Sequence, residues 1–476
     1  MIKKCNLRSL SDTGTTMRTL LFTLLITPAF LIGQEIEGRW QGSINTGGIK
    51  LKLVFKIKHS GDSLLSVMDS PDQGVRGIPV NSTIFQNDTL RIDMTGFTIN
   101  YTGVIDSAGS IVGQFNQSGQ VFPLTLERSI GEEKELKRPQ EPKKPYPYFE
   151  EQLKFTNPVA QIKLAGTLTI PKDKVSCPAV VLISGSGAQN RDEEILGHKP
   201  FLVLADHLTR NGIAVLRYDD RGTAESEGDF STGTAFDFST DAEAAFNYLR
   251  SRKEVNGNRI GLIGHSEGGM IAPMIAARNN NVNFLVLLAG TGVRGDQIIL
   301  KQSVLIGQAN GIPREELLKG REINKGAFDL VLDTLNNDSL EQVLTRYFYA
   351  QDNSDTVEGI TVEQMVNKNV QTLINPQIKY FIRYDPRSAL TKVRCPILAL
   401  NGERDLQVEP QENIGAIQKA VKEGGNTQLT TKIFPRLNHL FQECKTGSIN
   451  EYGVIEQTIS PDVLQEISKW VNSLEN

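Results

Sequence analysis

Between residues 50 and 59 the chain reads KLKLVFKIKH, with charged and apolar positions largely alternating. A period of two puts every second side chain on one face, the pattern of a half-buried β-strand. TLRIDMTGFTINYTGVI (89–105) continues it, with Gly, Asn and Asp at the breaks. Turn signals recur about every ten residues, among them HSGD, QND, DSAGS and NQSG. Residues 34–130 are therefore expected to form a small all-β accessory domain, a barrel or a sandwich, opening at GRWQGSI. Its one histidine, His59, reads as an exposed strand-end residue, and no catalytic cluster lies in this stretch.

The pattern then breaks. GEEKELKRPQEPKKPYPY (131–148) is charged and proline-rich, as a linker is. Beyond Phe149, IKLAGTLTIP resembles an antiparallel strand, and PAVVLIS (178–184) is a near-continuous apolar run, as a strand buried on both faces requires. Helical and strand patterns then alternate: PFLVLADHLTRNG, IAVLRYD, DFSTDAEAAFNYLRSR (with Asp237, Ser239 or Thr240 available as its cap), RIGLIG, a helix from about Glu267, FLVLLAG, PILALNG and LTTKIFP. An amphipathic helix, SPDVLQEISKWVNSL, closes the chain. The alternation predicts an α/β domain over 149–476 with a doubly wound, mostly parallel sheet. Residues 293–385 are mainly helical and interrupt the alternation, so they are expected to form a cap over the ligand crevice at the carboxyl ends of the strands.

Charge and composition narrow the partners. A net charge of −4 gives no electrostatic case for nucleic acid or an anionic membrane surface. At the N-terminus Lys3, Lys4, Arg8 and Arg18 precede an apolar run from Leu20 to Ile32 that is short for a bilayer span and contains Pro28. Residues 1–33 thus read as a signal peptide cleaved near Gly33, with Met17 an alternative start, and the mature protein as secreted or periplasmic without a membrane span. Cys5 leaves with the leader, and Cys177, Cys395 and Cys444 are too few for a disulfide framework. No Cys/His cluster calls for zinc, and no metal or cofactor is expected.

GLIGHSEGGM (261–270) carries the candidate chemistry. Gly264-His265-Ser266-Glu267-Gly268 fits G-x-S-x-G between an apolar strand and a small-residue helix, a context that exposes a serine on a sharp turn. A serine needs a base, and the chain has five histidines. His198 and His207 lie in or beside a helix, and His265, adjacent to Ser266, points elsewhere and buttresses the turn. His439, on the loop after the last core strand, is the expected base. The loop after the preceding strand offers Glu403, Asp405 and Glu409, of which Asp405 is the first choice and Glu403 the second for holding the imidazole. Backbone N–H groups of Glu267 and of Ser186, or failing that Gly187, in SGSGAQNRDEE would bind an oxyanion. The GSG there lacks the third glycine of a dinucleotide loop. The RDEE run (191–194) reads as a solvated helix start, with contact to a polar substrate as the alternative.

On GHSEGG, the GSG…RD loop and RYDDRGTAESEG (217–228), residues 149–476 resemble the serine α/β-hydrolases, closest to the secreted esterase and prolyl-oligopeptidase-like group. The resemblance covers about two-thirds of the chain and implies hydrolysis of esters, thioesters or amides with the order Ser266, Asp405, His439. It also implies that Asp219, Asp220 and Arg221 fix the loop beside the oxyanion hole. The expected function is that of a serine carboxylesterase acting on a small acyl ester. A peptidase or thioesterase of the same fold, and a silent binding protein on that fold, are the alternatives. The accessory domain is too small for a propeller, which favours esters over peptides.

Overall fold

The computed structural model describes residues 36–474 except 47–48, 62, 72–74, 96–98, 118–119, 130–136, 173–175 and 352–360. The leader expected at 1–33 lies outside the described residues, as does the first part of the expected linker.

The alternating segment forms nine strands: β1 (Gly38–Thr46), β2 (Ile49–Ser60), β3 (Ser63–Ser70), β4 (Val75–Pro79), β5 (Ser82–Gln86), β6 (Thr89–Met94), β7 (Ile99–Ile105), β8 (Ile111–Gln117) and β9 (Gln120–Arg128). They pair antiparallel in the order β2-β1-β9-β8-β7-β6-β5-β3, and β3 pairs back onto β2, so eight strands close a barrel with β4 added beside β3. Closure removes the unpaired strand edges that a sandwich would leave. Alternation decides what fills it: Trp40, Phe55, Leu90, Ile92, Tyr101, Phe115, Leu124 and Leu126 are all fully buried. The Tyr101 hydroxyl, inside this core, donates to Ile111 O at 3.0 Å and reaches Leu124 O at 3.3 Å, which satisfies its polar end. The interior is thus packed with side chains, as in small barrels.

The second sheet has eight strands in the order β10-β11-β13-β12-β14-β15-β16-β17. They are β10 (Phe149–Asn157), β11 (Ile162–Ile170), β12 (Cys177–Ile183), β13 (Ala214–Tyr218), β14 (Val255–His265), β15 (Phe284–Leu288), β16 (Ile397–Gly402) and β17 (Leu429–Phe434). β10 and β11 are antiparallel, β11 meets β13 antiparallel, and the remaining pairs are parallel. On one face Val180 and Leu182 of β12 pack with α1 (Pro200–Arg210) and the chain-final helix (461–473). On the other, Ala179, Val181 and Ile183 pack with α2 (Ala235–Arg250), α3 (Glu267–Ala276) and the helix at 410–423. This is the doubly wound arrangement the alternation predicts.

Two details differ from the sequence reading. β10 was not expected, because FEEQLKFTN is polar enough to hide an edge strand whose one face packs on α2. The cap of α2 is not Asp237, Ser239 or Thr240 but Thr234, whose side chain accepts from the Asp237 amide while the Asp237 carboxylate accepts from the Thr234 amide. Asp237 is thus the far half of a capping box.

Between β15 and β16 run α4 (Gly295–Ala309), α5 (Arg314–Asp333), α6 (Asn337–Gln351), α7 (Val362–Ile374), α8 (Pro376–Arg383) and α9 (Arg387–Leu390). The first five of these share a core of their own around Leu300, Phe328, Leu344, Val370 and Ile382. Where α8 meets the start of α2, a cavity of about 410 Å³ is lined by Thr234, Pro376, Lys379, Tyr380, Arg383 and Tyr384. α10 (Pro410–Glu423) follows β16; α11 (Ile449–Tyr452) and α12 (Pro461–Ser473) follow β17. Cys395 and Cys444 are free thiols, and Cys177 is buried with its Sγ 3.4 Å from Glu254 O. Among the described residues no helix is long and apolar enough to cross a membrane.

Candidate active site

β14 ends at His265 and α3 begins at Glu267, which leaves Ser266 to make the whole turn. Its backbone sits at φ 53°, ψ −114°, a strained conformation for any residue with a side chain. Neighbouring contacts hold it there: the Ser266 amide donates to Leu288 O at 2.8 Å, and Ser266 O accepts from the Gly269 amide at 2.9 Å. The glycines are required by proximity. A Cβ on Gly264 would fall 2.0 Å from Gly268 O, and one on Gly268 would fall 2.2 Å from Ile183 O. Ser266 is half-buried among buried neighbours. Its side chain does not cap α3, and among the described residues its hydroxyl forms no hydrogen bond.

Asp405 and His439 come from the loops after β16 and β17, brought together because Gly402 lets the Leu437 and Asn438 carbonyls approach. His439 Nδ1 lies 2.7 Å from Asp405 Oδ2, with the two residues 4 % and 2 % exposed. The other oxygen of Asp405 accepts from the amides of Gln407 and Val408, both at 2.8 Å, which fixes the carboxylate's direction. A carboxylate facing Nδ1 calls for the hydrogen on that nitrogen and leaves Nε2 as an acceptor. Asn438 holds the base loop by accepting from the Leu440 and Gln442 amides. Glu403, the second candidate acid, instead accepts from the Arg436 amide.

The loop after β12 reaches the turn from the other side. A Cβ on Gly185 would lie 3.3 Å from Ser266 Cβ, so the loop packs against the serine at this glycine. The Gly185 amide is taken by Glu193 Oε1 at 2.7 Å. The following amides of Ser186 and Gly187 have no acceptor among the described residues, and neither has that of Glu267 at the start of α3. Asp220 holds this loop by accepting from Ser184 Oγ at 2.8 Å and from the Gln189 amide at 2.9 Å. Asp219 accepts from the Arg191 amide at 2.7 Å and pairs with its guanidinium. Arg221 takes no part in holding the loop. Its side chain turns to Asp241 and to Asp237 O, tying the segment to α2.

The sequence reading missed Glu193. It belongs to RDEE, read as a solvated helix start, yet it is 4 % exposed and sits at φ 50°. Its Oε1 also faces His265 Nδ1 at 2.9 Å, while His265 Nε2 faces His439 O at 3.1 Å. Both ring nitrogens of His265 are therefore engaged. Burial works against its positive charge, but the Glu193 carboxylate and these hydrogen bonds outweigh it and raise the His265 pKa. Spacing gave no sign of this pairing, since 72 residues separate the two side chains.

A void behind the turn is lined by Ser184, Gly185, Tyr218, Asp220, Phe230, Phe238 and Glu267. Burial pushes the Glu267 carboxyl up to about 7 and, as the largest influence, the Asp220 carboxyl up to about 8.

Esterase EstD of Thermotoga maritima is 28% identical over 317 residues, 65% of this chain and 65% of the esterase, so the chain spans just under two thirds of that relative's length. An acyl transferase of Photobacterium leiognathi is 28% identical over 183 residues, 37% of this chain and 54% of that protein. Among solved structures, an esterase of Pyrococcus furiosus aligns with a TM-score of 0.40 at 14% identity, covering 68% of this chain and 90% of that one. The family model described as "Serine aminopeptidase, S33" matches residues 199–443, more than half of the sequence. The chain belongs to this family, within the serine α/β-hydrolase superfamily.

Proposed function

We propose that this protein is a serine carboxylesterase that cleaves small acyl esters through an acyl-enzyme intermediate. The observation that carries the reading is the buried 2.7 Å contact between Asp405 and His439, whose backbone oxygen meets His265, the neighbour of a serine held in a strained turn. Ser266 Oγ attacks the ester carbonyl while His439 Nε2 takes its proton, and Asp405 stabilises the imidazolium that forms. The amides of Glu267 and Ser186, with Gly187 as second choice, receive the tetrahedral oxygen. Return of the proton from His439 releases the alcohol, and a water repeats the sequence on the acyl-enzyme to free the acid. The proposed attack requires a hydrogen bond from the Ser266 hydroxyl to His439 Nε2 in the substrate complex.

The Thermotoga relative's name supports ester over amide, whereas the family's description names an aminopeptidase, so amide cleavage is the second reading. Ser266→Ala measured on short-chain p-nitrophenyl esters is expected to lose activity by roughly 10⁴-fold or more. Near wild-type turnover would overturn the assignment. Acyl esters run beside aminoacyl amides separate the two readings. The cap helices are read as shaping the pocket for the acyl or alcohol part. The leader reading assigns the mature protein to the periplasm or the medium, and recovery of unprocessed active protein from the cytoplasm would contradict it.

A further inference from the structure

We propose that Glu193 and His265 act as one positioning bridge that locks the oxyanion loop to the base loop, an inference that rests on the roles given above to Ser266 and His439. Three contacts make the bridge. The Gly185 amide donates to Glu193 Oε1 at 2.7 Å, His265 Nδ1 meets the same oxygen at 2.9 Å, and His265 Nε2 donates to His439 O at 3.1 Å. The chain of bonds runs from the loop after β12, through the residue before Ser266, to the backbone of His439 itself.

The chemistry of the partners decides the protonation. A carbonyl oxygen only accepts, so Nε2 carries a hydrogen. A carboxylate that already accepts an amide bond asks for a second donor, so Nδ1 carries one too. The pair is an imidazolium and a carboxylate with side chains 10% and 6% exposed. Apolar packing commonly stabilises a fold as well as a buried ion pair does, so stability alone does not call for charges here. What the pair supplies is direction: two loops, each bearing a different part of the proposed machinery, are set against one another through hydrogen bonds of fixed geometry. Gly185 packs 3.3 Å from Ser266 when measured to a Cβ built on it, so any slack at Glu193 passes straight to the amides of Ser186 and Gly187. With both ring nitrogens engaged, His265 is also unable to compete with His439 for the serine proton.

The test uses full-length Glu193→Ala, Glu193→Gln and His265→Gln, and the Glu193→Ala/His265→Ala pair with its two single variants. Each is assayed on a p-nitrophenyl ester and with a trifluoromethyl ketone that mimics the tetrahedral adduct, and its fold is checked by circular dichroism. Glu193→Ala is expected to lower kcat by roughly 100-fold, the cost of about 1 Å of misplacement, with KM nearly unchanged and ketone affinity falling in parallel. Glu193→Gln keeps the side chain's volume and an acceptor for Gly185 but removes the charge that keeps both His265 nitrogens protonated, so its kcat is expected to fall between wild type and Glu193→Ala, whereas wild-type kcat in it would show packing alone at work and overturn the bridge. If the two residues act as one device, the double variant is no slower than the slower single. Folded Glu193→Ala with wild-type kcat, or a double variant whose losses multiply, overturns the bridge. Should Glu193→Ala not fold, His265→Gln decides the matter: its amide cannot serve both neighbours at once, so unchanged kcat overturns the proposal and a fall in kcat at constant KM upholds it. Ser266→Ala runs alongside, and activity surviving in that variant removes the nucleophile assignment, whatever the Glu193 and His265 variants do.

Discussion

Glu267 plays two separate parts through two separate groups. Its amide faces the place proposed for the oxyanion, while its carboxyl lines a void of about 10 Å³, room for roughly one water. Burial alone raises that carboxyl to about 7. The unfolded chain gives up this proton near pH ~4.3, whereas the folded chain keeps it until about 7. Folding stability therefore falls as pH rises between those values and stays at the lower level above them. Glu267→Gln has no such titration, so its thermal stability should exceed that of wild type at pH 8 by up to about 3 kcal/mol, and the gap should shrink towards pH 5. Asp220 shares the void, and its own titration is common to both proteins. Parallel melts at the two pH values that show a constant gap would contradict the account. At the neighbouring loop, Asp405→Asn should keep the fold and lower kcat by about 10⁴, because an amide no longer selects the Nδ1–H tautomer of His439.

At the scale of elements, close approach of backbone decides more than propensity. Gly268 touches Ile183 O, so Gly268→Ala must push α3 away from β12. Such overpacking costs about 1–3 kcal/mol and should remove activity along with it, because Ser266 sits at the junction. Thr234→Ala breaks the capping box of α2 and should cost about 1 kcal/mol in denaturant unfolding without changing ester turnover. Most of these elements were legible in the sequence, since local periodicity is what it records best: the alternation of β6 and β7, the apolar run of β12 and the strand–serine–helix junction all read correctly. β10 did not, because charges on its outer face mask the apolar positions. Nor did the cap of α2, where several side chains of suitable chemistry lie close together and only the start of the helix selects among them.

For the whole molecule, the segment joining the two sheets is more than a spacer. Arg138 donates to the carbonyls of Leu196, Gly197, Gly453 and Ile455, and Gln140 brackets Thr458 and Ile459. Thr458 in turn meets the buried His198, whose other nitrogen faces Tyr452 O, and the Tyr452 hydroxyl reaches Gln407 beside Asp405. Arg138→Ala should lower stability by about 2 kcal/mol or more and speed amide exchange across 453–459, while β12 and β14 keep their protection. Unchanged exchange in 453–459 would show that the strap is not needed there. Among the described residues the barrel's centre is filled by large buried side chains, Trp40, Phe55, Tyr101 and Phe115 among them, as small barrels are.

The sequence by itself determined the two sheets, the insertion between β15 and β16, the serine at the junction and the short set of histidines and acids on strand-end loops. Each of these is written locally, in a period of two or 3.6, a glycine pattern or the order of strands along the chain. Only the tertiary structure decided which side chains meet. Asp405 faces His439 and Glu403 does not, although two positions separate them. Arg221 leaves the loop its neighbours hold, and Glu193 is drawn from a charged run into a buried pair with His265. The reason is register: His265 meets partners 72 and 174 positions away, and those pairings follow from how parallel strands align, which no local pattern encodes.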